Sequence, residues 1–84
     1  MRQGASLEAQ DKTGNIVLHT AAQQDHPKSA RVLARSMLRQ EIPLNIPNKQ
    51  GDTPLHIAAQ QGHEAVVQEL QEAILLFIIN RQKN

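Results

Sequence analysis

The sequence has no cysteine, no tryptophan and no tyrosine, and Phe77 is its single aromatic side chain. The absence of cysteine excludes disulfides and zinc sites with thiolate ligands, and it is typical of a reducing compartment. With a single aromatic ring on which bases could stack, a site for single-stranded nucleic acid is not expected. The core must be built from Leu, Ile, Val and Ala, which favours short, closely packed helices over a β-sandwich.

An excess of charge of one sign is also lacking. Nine basic and eight acidic residues leave a net charge of +1, and nucleic-acid binding would need a clustered basic face. The longest apolar run, AILLFII at 73–79, is far shorter than the roughly 20 residues of a membrane span. The first ten residues, MRQGASLEAQ, lack the apolar stretch of a signal peptide. These features predict an intracellular protein, cytoplasmic or nuclear, that contacts neither nucleic acid nor membrane.

An internal repeat organises the chain. Residues 14–33 read GNIVLHTAAQQDHPKSARVL, and residues 51–70 read GDTPLHIAAQQGHEAVVQEL. The Leu-His, Ala-Ala and Gln-Gln pairs and the following His each recur 37 positions later. A weaker echo relates LNIPNKQ at 44–50 to LFIINRQ at 76–82. Repeats of this size indicate a stack of supersecondary units, whereas a catalytic site is normally single.

The second copy reads as a turn, a short helix, a tight loop and a longer helix. Thr53 is placed to cap the short helix, and Pro54 suits its first position. Gly62 stands where that helix needs a left-handed residue. The longer helix is expected to begin near His63. A unit of this kind cannot bury its own apolar face, so it must stack on a neighbour.

This second copy resembles the ankyrin repeat. The match is carried by TPLH at 53–56, AA at 58–59, GH at 62–63 and VV at 66–67, and the resemblance extends over about residues 4–80. It implies an all-α fold, a short ankyrin-type helix-turn-helix solenoid. About two repeats are expected, with partial β-hairpin or return segments at both ends.

The first copy departs from the pattern in ways that carry physical consequences. Ile16-Val17 replaces Thr-Pro, so the capping hydroxyl is lost. Asp25 replaces the helix-ending Gly and adopts the left-handed conformation less readily. The 37-residue spacing exceeds the usual period of about 33, which predicts a lengthened second helix and a looser link around Ile42-Pro43.

The repeat pattern predicts a single domain over residues 1–84. Its parts are an entering hairpin segment (4–15), a lengthened first repeat (16–47), a second repeat (48–75), and a partial return segment that acts as a C-terminal cap (76–84).

The family resemblance also implies a function, namely non-catalytic protein–protein interaction as an adaptor, inhibitor or decoy. Ankyrin-type stacks bind partners on the concave side, which is formed by hairpin tips and first helices. The corresponding positions of this sequence are Lys12, Thr13, Asn15, Thr20, Gln23, Gln24, Lys49, Gln50, Asp52, Ile57, Gln60 and Gln61.

The four histidines fall as two pairs, each seven residues apart. A zinc site would need them to converge with further ligands. We instead interpret His19 and His56 as hydrogen-bonding turn backbone between adjacent repeats, and His26 and His63 as opening the second helices. No metal site is therefore predicted.

Acid–base chemistry is not expected either. Glu64, Glu69 and Glu72 follow the solvent face of one predicted helix, where nothing indicates a perturbed pKa. No nucleophile elbow, P-loop or dinucleotide fingerprint is present. The sequence predicts no catalytic residue, no cofactor and no enzyme activity.

The apolar run near the C-terminus leaves a second function open. It could close the end of the stack, or it could meet another copy of the chain, because large exposed apolar patches mark interaction sites. The alternative to a binding module is thus a structural element that forms homo-oligomers through this run or through an uncapped repeat end. The residues concerned are Leu75, Leu76, Phe77, Ile78 and Ile79.

Overall fold

A computed structural model describes residues 6–82 of the chain. Over these residues the chain forms four helices and no strand, and the helices pair as α1 with α2 and α3 with α4. The short helices pack on each other and so do the long ones, which gives the predicted helix-turn-helix stack. The helices are α1 (Val17–Gln23), α2 (Pro27–Arg39), α3 (Pro54–Gln60) and α4 (Glu64–Gln82).

The short helices begin with hydrogen bonds that the repeat motif supplies. At α3 the hydroxyl of Thr53 accepts from the His56 N–H at 3.2 Å, and Nδ1 of His56 accepts in return from the Thr53 N–H at 3.2 Å. At α1 the imidazole half of this arrangement remains, because Nδ1 of His19 accepts from the Ile16 N–H at 3.0 Å. The capping role predicted for Thr53 is confirmed, and the histidine compensates in part for the missing hydroxyl at Ile16.

Three helices end in the same way, with a left-handed residue just past the last turn. In each, the N–H of the next residue reaches back to a carbonyl in the final turn at 2.9–3.1 Å, which satisfies groups that a helix end leaves free. Two of these residues are not glycine and therefore carry backbone strain. Glu41 was not foreseen in this role. The residues are Asp25 (φ 56°), Glu41 (φ 59°) and Gly62 (φ 72°).

The core runs between the two helix layers and contains no aromatic side chain. The link between the repeats takes part in it, since Ile42 and Leu44 are only 6% and 5% exposed. The prediction of a looser link around Ile42-Pro43 is therefore wrong for its apolar residues. The buried side chains are Ile16, Leu18, Ala21, Ala22, Ala30, Ala34, Met37, Ile42, Leu44, Ile57, Ala58, Val66, Leu70 and Ala73.

The partial β-hairpins predicted at both ends are absent from the described residues. Residues 6–15 form turns without a strand, and residues 76–82 continue α4 as helix. The first repeat turns back because Pro43 and Pro47 cannot continue a helix, whereas LFIINRQ has no proline or glycine and is compatible with helix. Residues 4, 5, 83 and 84 of the predicted end segments lie outside the described part, and the repeat boundaries at 47/48 and 75/76 stay predictions.

Candidate functional site

The first hairpin turn, Asp11–Asn15, is built around one carboxylate. Oδ1 of Asp11 accepts from the N–H groups of Thr13 and Asn15, both at 2.9 Å, and from the Thr13 hydroxyl at 2.8 Å. These hydrogen bonds, of which that from the Thr13 hydroxyl has the largest effect, hold the pKa of Asp11 below its usual range. The turn thus fixes Thr13 and Asn15 at its tip through a charged acceptor.

The second hairpin turn, Asn48–Asp52, has the same construction with a neutral acceptor. Oδ1 of Asn48 accepts from the N–H groups of Gln50 and Asp52, both at 2.9 Å. The two ends of the turn also pair, because the Asn48 N–H donates to the Asp52 carbonyl at 2.8 Å. Residues 11–15 and 48–52, which stand 37 positions apart, therefore fold into two copies of one turn.

The two turns contact each other directly. The Lys49 N–H donates to the Thr13 carbonyl at 3.0 Å, and the Asn48 amide donates to Oδ1 of Asn15 at 3.0 Å. Gly14 lies at this contact with φ 84°, and a Cβ on it would stand 2.7 Å from the Lys49 nitrogen. A glycine at this position lets the turns approach closely enough to form their hydrogen bonds.

A histidine completes the link between the repeats. His19 is fully buried, and its Nε2 lies 2.8 Å from the Asp52 carbonyl oxygen. Because its Nδ1 accepts from a backbone N–H, Nε2 carries the proton and donates to Asp52. The predicted inter-repeat role is confirmed for His19. His56 is exposed and bonds only with Thr53 among the described residues.

An open cleft of about 250 Å³ lies between the two turns and the C-terminal ends of the short helices. It brings together eight of the twelve residues predicted for partner binding and adds Asn48, which the sequence indicated only as a turn residue. The side chains that line it are mostly amides and hydroxyls, and Asp52 is the single ionisable group among them. The lining residues are Thr13, Asn15, Gln23, Asn48, Gln50, Asp52, Ile57, Gln60 and Gln61.

The other four predicted residues are exposed but do not line the cleft. Lys12 and Lys49 stand on the tips of the two turns, Thr20 lies on α1, and Gln24 follows its last residue. Ile57 does line the cleft but is only 8% exposed, because α1 packs on α3. It forms part of the floor and offers little surface to a partner.

The apolar segment predicted for self-association has two sides. Ile74 and Phe77 are half-buried and line a small hollow beside Leu44, so this side of α4 packs under the link. The Arg81 guanidinium lies 5.6 Å from the centre of the Phe77 ring. Ile78 lies at the edge of this hollow and is 45% exposed. The other side of α4 faces outward, with Leu75 (58%), Leu76 (40%) and Ile79 (58%) exposed.

The acidic residues of α4 are either paired with an arginine or exposed. The carboxylate of Glu69 is held by Arg31 through two hydrogen bonds of 3.2 Å, and this pairing raises the pKa of Arg31. Glu64 and Glu72 are exposed. In residues 6–82 no group of three or more His, Asp and Glu side chains could hold a metal ion. None of the helices over the same residues is long and apolar enough to cross a membrane.

The two stacked helix pairs, joined through their turns by a buried histidine, define a protein of the helical-repeat class. A family model described as ankyrin repeats, in three copies, matches residues 1–80. The chain therefore belongs to the ankyrin repeat family, and the identification from the TPLH motif is confirmed. Ankyrin repeats are generally protein–protein interaction modules and are typically not catalytic. No curated protein sequence matches the chain.

Proposed function

We propose that this chain is a non-catalytic binding module that holds a segment of a partner protein in the cleft between its two turns and its short helices. The observation that carries the proposal is convergence: polar side chains from two turns and two helices, 37 residues apart in sequence, line one cleft. A surface of this kind serves an adaptor, an inhibitor or a decoy equally well.

The lining of the cleft indicates the chemistry of the partner. Gln23 and Gln60 each present an amide donor and an amide acceptor, which suits peptide groups and polar side chains. The amide oxygen of Gln61 already lies 3.1 Å from Nε2 of His63, so Gln61 offers chiefly its amide donor. The cleft has no Tyr, Trp or Arg, the residues that most often dominate binding energy. We therefore expect hydrogen bonds from an extended or turn-forming partner segment to supply most of the specificity, with modest affinity.

Site-specific crosslinking in cells captures the partner directly from the cleft. A photoreactive amino acid replaces Gln60 in the cleft, or Gln68 on the outer face of α4 as the control. A partner that is captured from Gln60 and not from Gln68 is then purified for titration.

Matched double variants test the cleft by calorimetry with that partner. We expect Gln23→Glu with Gln60→Glu to weaken binding at least tenfold, because each substitution replaces an amide, which can donate a hydrogen bond, by a carboxylate, which cannot. The control pair, Gln40→Glu just after α2 with Gln68→Glu on α4, adds the same charge away from the cleft and should leave binding unchanged. Equal affinities for the two double variants, with native helical content, would remove the cleft as the binding site.

A second candidate function rests on the outward side of α4. Leu75 and Ile79 are each 58% exposed and lie one helical turn apart, so they form an apolar stripe that a second copy could cover. Self-association through this stripe predicts a mass that rises with concentration above 9.3 kDa. Leu75→Lys with Ile79→Lys should then restore the monomer in light scattering. Val32→Lys, which replaces another exposed apolar side chain (62%) on α2, is the control.

A further inference from the structure

The second repeat carries an uncovered copy of the surface by which the first repeat holds its neighbour. In the first repeat this surface is fully buried under α3 and α4, with each side chain 0% exposed: His19, Ala22, Ala30, Ala34 and Met37. The residues 37 positions later are exposed or half-buried. We call this surface the open face, and it consists of His56, Ala59, Val67, Gln71 and Ile74.

The turns show the same asymmetry. A Cβ on Gly14 would meet the backbone of the next turn at 2.7 Å, whereas a Cβ on Gly51 would meet no described atom within 4 Å. The Thr13 carbonyl accepts from the next turn, but the Gln50 carbonyl, its counterpart, has no such donor among residues 6–82. The second turn is therefore preformed for a neighbouring turn that the described chain does not supply.

The covered copy of the surface shows what kind of unit fits the open one. The unit that covers it is the second repeat, which packs four apolar side chains against it. The second repeat also offers the Asp52 carbonyl to His19 and the Asn48 amide to Asn15 in the first turn. The apolar side chains are Ile57, Val66, Leu70 and Ala73, at 8%, 0%, 1% and 4% exposure. A second unit with these features has the shape and the hydrogen-bonding groups that the open face requires.

The first repeat of a second copy fits poorly, because polar residues replace its apolar contacts. Thr20 stands in the place of Ile57, and Ser29 in the place of Val66. Both residues are exposed in the structure, so the outer side of the first repeat presents polar side chains to solvent. Stacking it on the open face would bury two hydroxyls where the covered copy buries an isoleucine and a valine.

The turns of two copies would also repel each other. In the observed contact Asn48 donates its amide to Asn15. The same stacking between copies would set Asp11 against Asp52, which are the residues 37 positions away from Asn48 and Asn15. Two carboxylates would then meet where an amide donor and acceptor meet now, and like charges placed together disfavour an incorrect partner.

Within the described residues the link reaches only the edge of the open face, where Leu44 and Asn45 line a hollow with Ile74 and Ile78. No described segment turns back over the rest of this face. After the first repeat the direction reverses at Glu41 and the link returns to the next turn. After the second repeat α4 continues without a break to Gln82. By the helical period, Ile78 extends the stripe of Val67, Gln71 and Ile74, so α4 lengthens the open face.

We propose that the open face docks a helix-turn-helix repeat of a second, different polypeptide. Its turn places a backbone carbonyl on Nε2 of His56 and a side-chain donor beside Asp52. Its helices pack β-branched or leucine side chains against Val67 and Ile74, and a polar group meets the Gln71 amide. None of the five residues of the open face lines the cleft, and only Asp52 is used by both proposals. Variants of the open face and variants of the cleft glutamines therefore test the two proposals separately.

A designed donor derived from the chain itself provides the probe. Asp11→Asn, Thr20→Ile and Ser29→Val give its first repeat the residues that the second repeat uses in the observed contact. Ala59→Arg closes its own open face, so that it cannot form chains of itself. The wild-type protein, fluorescently labelled at its amino terminus and held at low concentration, is titrated with this donor in sedimentation velocity.

Three labelled variants, titrated with the donor in the same way as the labelled wild-type tracer, test whether binding occurs at the open face. Ala59→Arg and Gln71→Arg each put a charged side chain in the open face. Ala65→Arg makes the same exchange on α4 two residues from Val67, which is about 200° around the helix. Circular dichroism checks that every tracer keeps the helical content of the wild type.

We expect the donor to form a one-to-one complex with the wild-type and Ala65→Arg tracers, and to bind the two open-face tracers at least tenfold more weakly. The proposal is overturned if no complex with the wild-type tracer forms at donor concentrations up to about 1 mM, or if the open-face substitutions leave binding unchanged. It is also overturned if a protein with Ala59→Arg and the native first repeat binds as tightly as the donor, because the occupant would then be a second copy of the chain.

Discussion

Nε2 of His19 donates a hydrogen bond to the carbonyl oxygen of Asp52 at 2.8 Å, and this contact joins the first short helix to the turn that precedes the second. The ring is fully buried, and its other nitrogen accepts from the Ile16 N–H at 3.0 Å. One side chain therefore satisfies one backbone donor and one backbone acceptor from two different repeats. The equivalent ring of His56 serves only its own repeat among the described residues.

The two histidines should differ sharply in their effect on stability. His19→Ala leaves the buried Ile16 N–H without its acceptor, removes one of the two hydrogen bonds to the Asp52 carbonyl and opens a cavity, so we expect a loss of about 2–4 kcal/mol in the free energy of unfolding. His56→Ala removes a solvent-exposed capping contact and should cost about 1 kcal/mol or less. Urea denaturation followed by circular dichroism measures both. Equal losses would show that the link through Asp52 does not stabilise the stack.

The glycines at 14 and 51 allow the close approach of the turns to be measured apart from backbone strain. Both have a positive φ, 84° and 86°, so an alanine at either position carries a strain of about 1–2 kcal/mol. Only at Gly14 would the new Cβ also meet the backbone of Lys49. We expect Gly14→Ala to lower the free energy of unfolding by at least about 2 kcal/mol more than Gly51→Ala. Similar losses would contradict the packing of the two turns.

The left-handed residues that are not glycine offer a route to greater stability. Glu41→Gly relieves strain but increases the freedom of the unfolded chain, and the balance should be a gain of about 0.5–1 kcal/mol. Asp25→Gly should gain less, because Asp tolerates this conformation better and its carboxylate lies 3.8 Å from His63. Gly62→Ala is the opposite change and should destabilise. Urea melts of the three variants would refute the assignment if Glu41→Gly were the least stable of them.

The first turn should lose stability in acid, because its central hydrogen-bond acceptor is the carboxylate of Asp11. The pKa of Asp11 is lower in the folded protein than in the unfolded chain, so the unfolded chain binds the proton more readily. The resulting stabilisation is complete above the ordinary Asp pKa of about 4 and is lost as the pH falls through the lower folded value. Asp11→Asn copies the neutral acceptor of Asn48 and should remove this contribution. Thermal melts between about pH 2 and 6, compared for the two proteins, check it. An unchanged acid response in the variant would contradict the role of the carboxylate.

The sequence predicted the short helix of the second repeat well, because its signals are local. Thr53 and Pro54 mark the start of α3, and Gly62 marks its end, so three residues define the element. Most of the cleft was also predictable, since a repeated turn and a repeated helix place their residues at regular positions. Asn48 was missed because its role in the turn concealed that its side chain also reaches the cleft.

The errors arise where tertiary contacts decide the structure. Glu41 adopts the conformation of a helix-ending glycine, which the residue type does not announce. The echo between residues 44–50 and 76–82 suggested a return segment at the C-terminal end. Pro47 lies within the first of these stretches and Pro43 just before it, whereas the second has no proline. Thr20 and Ile57 occupy equivalent positions of the two repeats, but Thr20 is exposed and Ile57 is only 8% exposed. Its burial depends on the neighbouring helix rather than on its own sequence.

His19 and His56 are equivalent histidines, one buried and the other exposed. In a proton NMR spectrum the resonance of the buried ring can therefore serve as a reference for the exposed one. The ring proton that His19 directs at a carbonyl is shielded from water and should exchange slowly enough to be observed directly. The ring proton of the exposed His56 should exchange too fast to be seen. A molecule that covers the His56 ring as the second repeat covers the His19 ring would make a second slowly exchanging ring proton observable. Its chemical shift should lie near that of the His19 ring proton.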